Sequence, residues 1–330
     1  MKNLVNKTTV MAAMLAAATA SVAMPTAAVA QDGGYTIGVV EQQLANPFFS
    51  RLQAAAVERA RELGLETMTA ESQVAGDSAS QVNAVENMIN RGVKGIVLDP
   101  ANAFALVPIV KAAREAGIFV VTTNTSLDPA DTAHASYETD NFEAGVLIGK
   151  WARAQLAGKD ARVATLDYDL SDKTAGARHN GFMEGFGLKD GSPEFVGSQL
   201  TQANVETGQS SMENLLTAHP DINAIYTINE PAAQGAALAI KQLGGDVIVT
   251  SIDGSCSGVR SVVSGEIGAT VMQFPTNMGK LAVDAIHAAV TDGKEPSGIN
   301  NSGTVLITDK PVDGIESQSS EWGLKNCWGE

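Results

Sequence analysis

The chain has 330 residues, a formal net charge of -15 and 44% hydrophobic residues. That acidic balance excludes nucleic acid and anionic membrane surfaces as expected partners. The length exceeds what one hydrophobic core usually holds, so two domains are expected.

Residues 1–30 read as a secretory signal peptide. Lys2 and Lys7 form a basic start, residues 10–23 are small and apolar, and Ala28-Val29-Ala30 is a small-x-small cleavage signal. Cleavage after Ala30 would leave an exported chain that begins at Gln31. The alternative is an N-terminal apolar helix of the fold. No later stretch is long and apolar enough to span a bilayer.

From there short strand-like runs alternate with helix-like ones. TIGVVE (36–41) precedes the amphipathic FSRLQAAAVERARELG, LETMTAE (65–71) precedes DSASQVNAVENMINRG, and GIVLDP (95–100) precedes FALVPIVKAAREAG. FVVTTN (119–124) closes this first series. Its helices end near glycines 64, 92 and 117. A second series starts with RVATLDYD (162–169) before TAGARHNGFMEGFG, then FVGSQLT (195–201) before NVETGQSSMENLLTAH. It continues with AIYTIN (224–229), VIVTSID (247–253), ATVMQF (269–274) and TVLITD (304–309), with helical runs between most of them. The alternation predicts an α/β fold of two similar lobes, each a doubly wound parallel sheet with helices on both faces. Right-handed crossovers then put the loops after the strands on one edge of each sheet, where ligands bind.

The residues at those strand ends are therefore the candidate site. They are Gln42, Asn46, Phe48 and Phe49 after the first strand, Asp99 at the third and Asn124 at the fourth. In the second half they are Asp167, Asp169 and Arg178, residues 202–204, Asn229, Asp253 and Gln273. Planar amides, carboxylates and a guanidinium offer many donors and acceptors, which suits a ligand whose every hydroxyl is both. The apolar face of a sugar ring stacks on an aromatic, so Phe48-Phe49 fits the wall of a sugar pocket. The alternative is that one or both phenylalanines belong to the core at a helix start.

Enzyme readings find little support, and none is expected. The chain has no G-x-S-x-G elbow, since Gly254-Ser255-Cys256-Ser257-Gly258 puts cysteine at the nucleophile position, and no Walker or dinucleotide loop. His134, His179, His219 and His287 are scattered; His219 reads as closing a helix. Asp167, Asp169 and Asp172 lack the spacing of a calcium loop, and Ser171 or Asp172 reads better as a helix cap. No metal or cofactor is expected. In an exported chain the two cysteines, Cys256 and Cys327, invite one disulfide that would staple the C-terminal tail to the body; the alternative is two separate thiols.

The motifs ANPFF (45–49), GIVLDP (95–100), TAGARHNGF (174–182), NLLTAHPDINAIYTINE (214–230), SIDG (251–254) and MQFP (272–275) resemble the sugar-binding proteins of bacterial ABC importers, in the ribose-binding group of type I periplasmic binding proteins. The fragments DYDLSDKTAGARHNGFMEGF and DKPVDG with WGLKNCWG look closer still to fructose-binding proteins. The resemblance implies a periplasmic, monomeric receptor with two lobes joined by three hinge crossings and a sugar in the cleft. The first lobe would be 31–139 with 274–306, the second 140–273 with 307–330. Carried over by position, Asn46 and Asp99 bond hydroxyls from the first lobe and Phe48 and Phe49 wall the ring. Gln42 and Asn124 join them, and Arg178, Asn229, Asp253 and Gln273 act from the second lobe and hinge. Three positions depart from the ribose group: Asn124 stands where it has an aspartate, Thr125 where it has an arginine, and Ala203 where an aromatic completes the sandwich. These departures count against ribose and leave the exact sugar open; the fragments point to fructose first, with another pentose or hexose, inositol, or a chemotaxis receptor as alternatives. The implied partners are a monosaccharide and an ABC permease. With both cysteines in the second lobe, a bridge between them would leave hinge closure free.

Overall fold

The computed structural model describes residues 34–74, 76–189 and 191–329, so the expected signal peptide lies outside the described residues. In chain order the first part holds β1 (Thr36–Glu41), α1 (Pro47–Glu62), β2 (Glu66–Glu71), α2 (Ser78–Arg91), β3 (Gly95–Leu98), α3 (Val107–Glu115), β4 (Phe119–Thr123), β5 (Ala135–Glu138) and α4 (Asn141–Gln155). Next come β6 (Val163–Asp167), α5 (Lys173–Phe186), β7 (Phe195–Leu200), α6 (Val205–Ala218), β8 (Ala224–Thr227), α7 (Glu230–Leu243), β9 (Ile248–Asp253), α8 (Cys256–Ser264) and β10 (Ala269–Gln273). The chain closes with α9 (Pro275–Asp292), β11 (Gly298–Asn301), β12 (Thr304–Ile307) and α10 (Ser320–Asn326).

The strands form two six-stranded sheets, ordered β11-β5-β4-β3-β1-β2 and β12-β10-β9-β8-β6-β7. Every pairing is parallel except β10 with β12. This is the expected pair of doubly wound α/β lobes. The central strands are buried on both faces, as in β3, whose four residues are all buried, because helices cover the sheet on each side.

The sequence reading passes over residues 125–161, where the structure has β5 and α4. Ala-Ser-Tyr-Glu carries little apolar signal, and β5 is held instead by parallel pairing with β4 and β11. The helix α4 buries Trp151 and Ile148 against the second sheet but also small residues such as Gly145 and Gly149, which weaken its apolar stripe. Strand ends also fall earlier than expected. In β8 the ladder stops at Thr227, because Asn229 caps the next helix and accepts from the Ala232 N–H.

The chain passes between the sheets three times: after β5, after β10, and between β11 and β12. The last switch runs through Ser302 and Gly303, ahead of residue 306, because β12 already pairs with β10 in the second sheet. The crossings lie together. Thr139 Oγ1 donates to Gln273 Oε1 at 3.0 Å, and Ser302 N–H donates to the Glu138 carbonyl at 2.8 Å.

Candidate functional site

A cavity of about 490 Å³ opens between the carboxyl ends of the two sheets, within the usual size of small-molecule sites. Gln42, Asn46, Phe48, Phe49 and Asn124 line it from the first sheet's side, and Arg178, Asn229, Asp253 and Gln273 from the other. Asp99 is the exception among the expected residues. It is fully buried one layer behind the wall and acts through Gln42 and Asn124, which donate to its Oδ1 at 3.1 and 3.3 Å.

On the first side, Asn46 caps α1 and accepts from the Phe48 N–H at 2.9 Å, so its amide N is left to face the cavity. Both readings of the phenylalanine pair hold at once. Phe48 is buried with Leu52 and Met278, Phe49 is half-buried, the rings meet edge to face at 5.6 Å, and both line the cavity. Asn124 has φ 63°, a left-handed conformation that asparagine adopts more readily than most residues. Behind these, Gln81 of α2 donates to the carbonyls of Glu41 and Asp99 and accepts from Ala101 N–H at 2.8 Å, pinning the ends of β1 and β3 together. Burial pushes Asp99 up to about 7, with the two amide donors pulling the other way. Glu41, fully buried beside it, is raised well above the carboxylate range by burial and by the Asp99 charge. Held neutral, Glu41 is a proton donor facing Asp99.

The second side is built on an ion pair. Arg178 of α5 is 4% exposed. Its Nε donates to Asn141 Oδ1 at 2.8 Å, Nη1 to the Ile228 carbonyl at 3.1 Å, and Nη2 to Gln273 Oε1 at 3.0 Å. Nη1 also lies 3.9 Å from Asp253 Oδ1, which accepts from Gln273 Nε2 at 2.8 Å. Glycines let α5 approach α4 this closely: a Cβ at Gly145 would strike the Arg178 carbonyl, and one at Gly181 the Phe142 carbonyl. Burial raises Asp253 to about 6, and the Arg178 charge is the first force holding it down. Glu230 sets the turn after β9. It accepts from Gly254 N–H, Ser255 N–H and Oγ, and Thr270 Oγ1, so the backbone that carries Asp253 is tied to α7.

Asp172 caps α5, accepting from Ala175 N–H, and its side chain also borders the cavity. Asp167 does neither; it accepts from Thr165 and Ser198 hydroxyls and lies 3.0 Å from His179 Nδ1 in the buried second sheet. His219 closes α6 as its C-cap. Cys256 and Cys327 are joined in a disulfide. Sequence reasoning missed Gln81, Asn141, Glu41 and Trp328. Gln81 and Asn141 lie on helices with no strand-end signal, and Glu41 closes β1, where the strand run reads as apolar. Trp328 lines the cavity from the far end of the chain.

The set offers acceptors, amides and one cation to a small neutral polar ligand, and an aromatic wall to its apolar face. No three histidine, cysteine or carboxylate groups cluster in metal-binding geometry among the described residues.

Known proteins share this fold. The periplasmic binding protein domain matches residues 37–295. The ribose import binding protein of Bacillus subtilis is 32% identical over 253 residues, covering 76% of this chain and 80% of its own. Among solved structures, a periplasmic solute-binding protein from Actinobacillus succinogenes with bound D-allose superposes with a TM-score of 0.76 at 26% identity, over 83% of this chain and 97% of its own. A galactofuranose-binding protein gives a TM-score of 0.78 at 25% identity, over 88% and 97%. The chain belongs to the periplasmic binding protein family, in its type I, ribose-binding group.

Proposed function

We propose that the protein is a periplasmic receptor that binds a monosaccharide, fructose first among them, and delivers it to the permease of an ABC importer. It acts as a monomer, with no chemistry on the sugar. The observation that carries this is the two-sided cavity: a carboxylate flanked by amides on each side, an arginine on one and paired phenylalanines on the other. Relatives named for ribose, allose and galactofuranose support the sugar class. Fructose rests on the resemblance of residues 167–186 and of the C-terminal stretch to fructose binders. Asn124, Thr125 and Ala203, the departures from the ribose group, all border the cavity and count against ribose itself.

The two lobes are proposed as 31–139 with 274–303 and 140–273 with 304–330, the last boundary moved from 306 so that β12 belongs to the second. Sugar that bonds both sides would favour the closed arrangement by its differential affinity. The closed receptor would then dock on the permease. Micromolar affinity is about -8 kcal/mol, which for about a dozen ligand heavy atoms stays below the ceiling of roughly 1.5 kcal/mol per atom.

The test is thermal unfolding of the exported chain, refolded to strip carried-over ligand, against fructose, ribose, allose, glucose, galactose, xylose, arabinose and inositol. Ligand at about 100 times its dissociation constant adds about 2.7 kcal/mol, or a rise of roughly 5–10 °C. A shift with fructose alone supports the full reading. A shift with another sugar moves the substrate, and no shift with any removes the sugar assignment.

A further inference from the structure

The tail Cys327-Trp328-Gly329 does more than end the chain. The Cys256–Cys327 disulfide spans 71 residues and fixes the tail to the start of α8, on the second sheet's side. Beyond it, Trp328 forms a parallel bridge with Ser255, and Cys256 N–H donates to the Trp328 carbonyl at 2.9 Å. The indole Nε1 donates to the Gln273 carbonyl at 2.8 Å, at the crossing where the chain leaves β10 for α9. The ring is 6% exposed and packs edge to face on Phe48, with centroids 5.5 Å apart at 75°. It lines the cavity, and it shares a buried cluster with Phe48, Leu52 and Met278, residues of α1 and α9 on the first sheet's side. The backbone of Gly329 is close enough to α1 that a Cβ there would sit 3.2 Å from Pro47 Cβ.

A residue covalently anchored on one side of the cleft therefore touches the other side beside the ligand space. The disulfide lies wholly on the second sheet's side, as expected. The residue after it does not: Trp328 packs on Phe48 of the first sheet's side. A free C-terminal tail would lose backbone entropy on ordering at such a place; the disulfide and the Ser255 bridge hold it there. The indole N–H has its partner, so the buried ring sits in one orientation.

We infer that Trp328 is a positioning residue of the sugar cavity, carried there by the Cys256–Cys327 disulfide, where it seats Phe48 against the ligand and links the two lobes next to a hinge crossing. This rests on the sugar-receptor reading above. The link is noncovalent and adds to the three chain crossings and to the hydrogen bonds that Lys173 Nζ donates to Ser126 Oγ and the Leu127 carbonyl.

The experiment compares the exported chain with Trp328→Ala, Trp328→Phe and the paired Cys256→Ser, Cys327→Ser variant. Three readouts are taken: calorimetric affinity for the sugar that the wild type binds, the tryptophan emission change on adding it, and the X-ray scattering radius without it. Trp328→Ala and the paired serine variant should bind about tenfold more weakly and scatter as a more open particle. Trp328→Phe keeps the ring and should bind within about threefold of wild type. It should nevertheless lose the sugar-induced emission change, because the other tryptophans, Trp151 and Trp322, do not border the cavity. Wild-type affinity in both Trp328→Ala and the paired serine variant would overturn the inference, as would an unchanged emission response in Trp328→Phe. If Trp328→Ala proves unfolded, Trp328→Phe and the serine pair decide alone. A wild type that binds none of the sugars defeats the sugar reading itself, and the positioning role with it; the scattering comparison then still decides the interlobe link.

Discussion

The two sides of the cavity present the same kind of group, a buried carboxylate bonded to a side-chain amide, and neutralise it differently. Asp253 has Arg178 beside it, at 3.9 Å. Asp99 has no cation within salt-bridge distance among the described residues; it has the amides of Gln42 and Asn124 and the neighbouring acid Glu41. The consequence shows in their protonation. Asp99 rises to about 7 and Asp253 to about 6, with burial the leading cause for both. The lesson is that one side is a built ion pair at the wall itself, while on the other the carboxyl lies one layer behind the wall and holds the amides of Gln42 and Asn124 that border the ligand space.

The largest effect should come from breaking the ion pair. Arg178→Ala strands Asp253 and removes three donated hydrogen bonds, and breaking a buried pair of this kind costs about 3–5 kcal/mol. Sugar affinity should fall at least a hundredfold, and the ligand-free melting temperature should fall as well. Calorimetry and thermal unfolding check the two parts; a dissociation constant within threefold of wild type would falsify the role given to Arg178.

On the other side the same kind of change should split those two readouts. Asp99→Asn keeps the shape and removes the charged acceptor that fixes the Gln42 and Asn124 amides, so binding should weaken about tenfold through those two residues. The ligand-free protein, relieved of an uncompensated buried carboxylate beside Glu41, should melt no lower than wild type. A drop in its melting temperature as large as that of Arg178→Ala would erase the contrast between the two sides.

How much of this was legible follows the same division. The strand-end rule reached Gln42, Asn46, Asp99, Asn124, Asn229, Asp253 and Gln273, because a parallel sheet sends its loops to one edge and the strand runs are apolar enough to read. It reached Arg178 as well, by its place early in the helix after β6, and the resemblance supports it. It put Asp99 in the wall, whereas the chain turns so that Gln42 and Asn124 stand in front. Gln81 and Asn141 stayed hidden because a glutamine or asparagine on a helix carries no sign of the strand ends it bonds. Glu41 closes a strand run that reads as apolar, and its burial depends on a fold already formed. Trp328 lies 280 residues from Phe48, and only the disulfide brings the two together. β5 and α4 were passed over because tertiary pairing, not local pattern, holds them.

A pH series sharpens the comparison further. Sugar hydroxyls donate best to an ionised carboxylate, here Asp253 at the wall, and ionised Asp99 best holds the Gln42 and Asn124 amides in place, so binding should release protons from both. With Asp99 near 7, affinity should weaken about tenfold from pH 8 to pH 6 if only the ionised form accepts the ligand. Asp253 adds its share lower down, near 6. Stability without sugar should run the other way. A carboxyl whose folded value is raised binds its proton more tightly when folded. Its contribution is therefore complete below the unfolded value of roughly 4 and is lost as pH climbs toward the folded value. Calorimetry in buffers of different ionisation heat reads the proton release directly, and a pH-independent affinity would show that neither carboxylate takes a proton in the free receptor.

The smallest predicted effect lies in the backbone. Each side places one residue other than glycine in the left-handed region beside the cavity, Asn124 at φ 63° and Ala203 at φ 54°. Asparagine visits that conformation more readily than most residues, and here it also gains the bond from Nδ2 to Asp99. Alanine has no such return, and its Cβ crowds the following carbonyl at a cost of roughly 1–2 kcal/mol. Ala203→Gly removes that crowding but adds freedom to the unfolded chain worth about 0.5–1 kcal/mol. The net should be a gain of about 0.5 kcal/mol, a rise of about 1–2 °C in melting temperature. Asn124→Gly should do the reverse, since it relieves little strain and forfeits the bond to Asp99. If both glycine variants move the melting temperature in the same direction, strain at Ala203 is not what distinguishes the two loops.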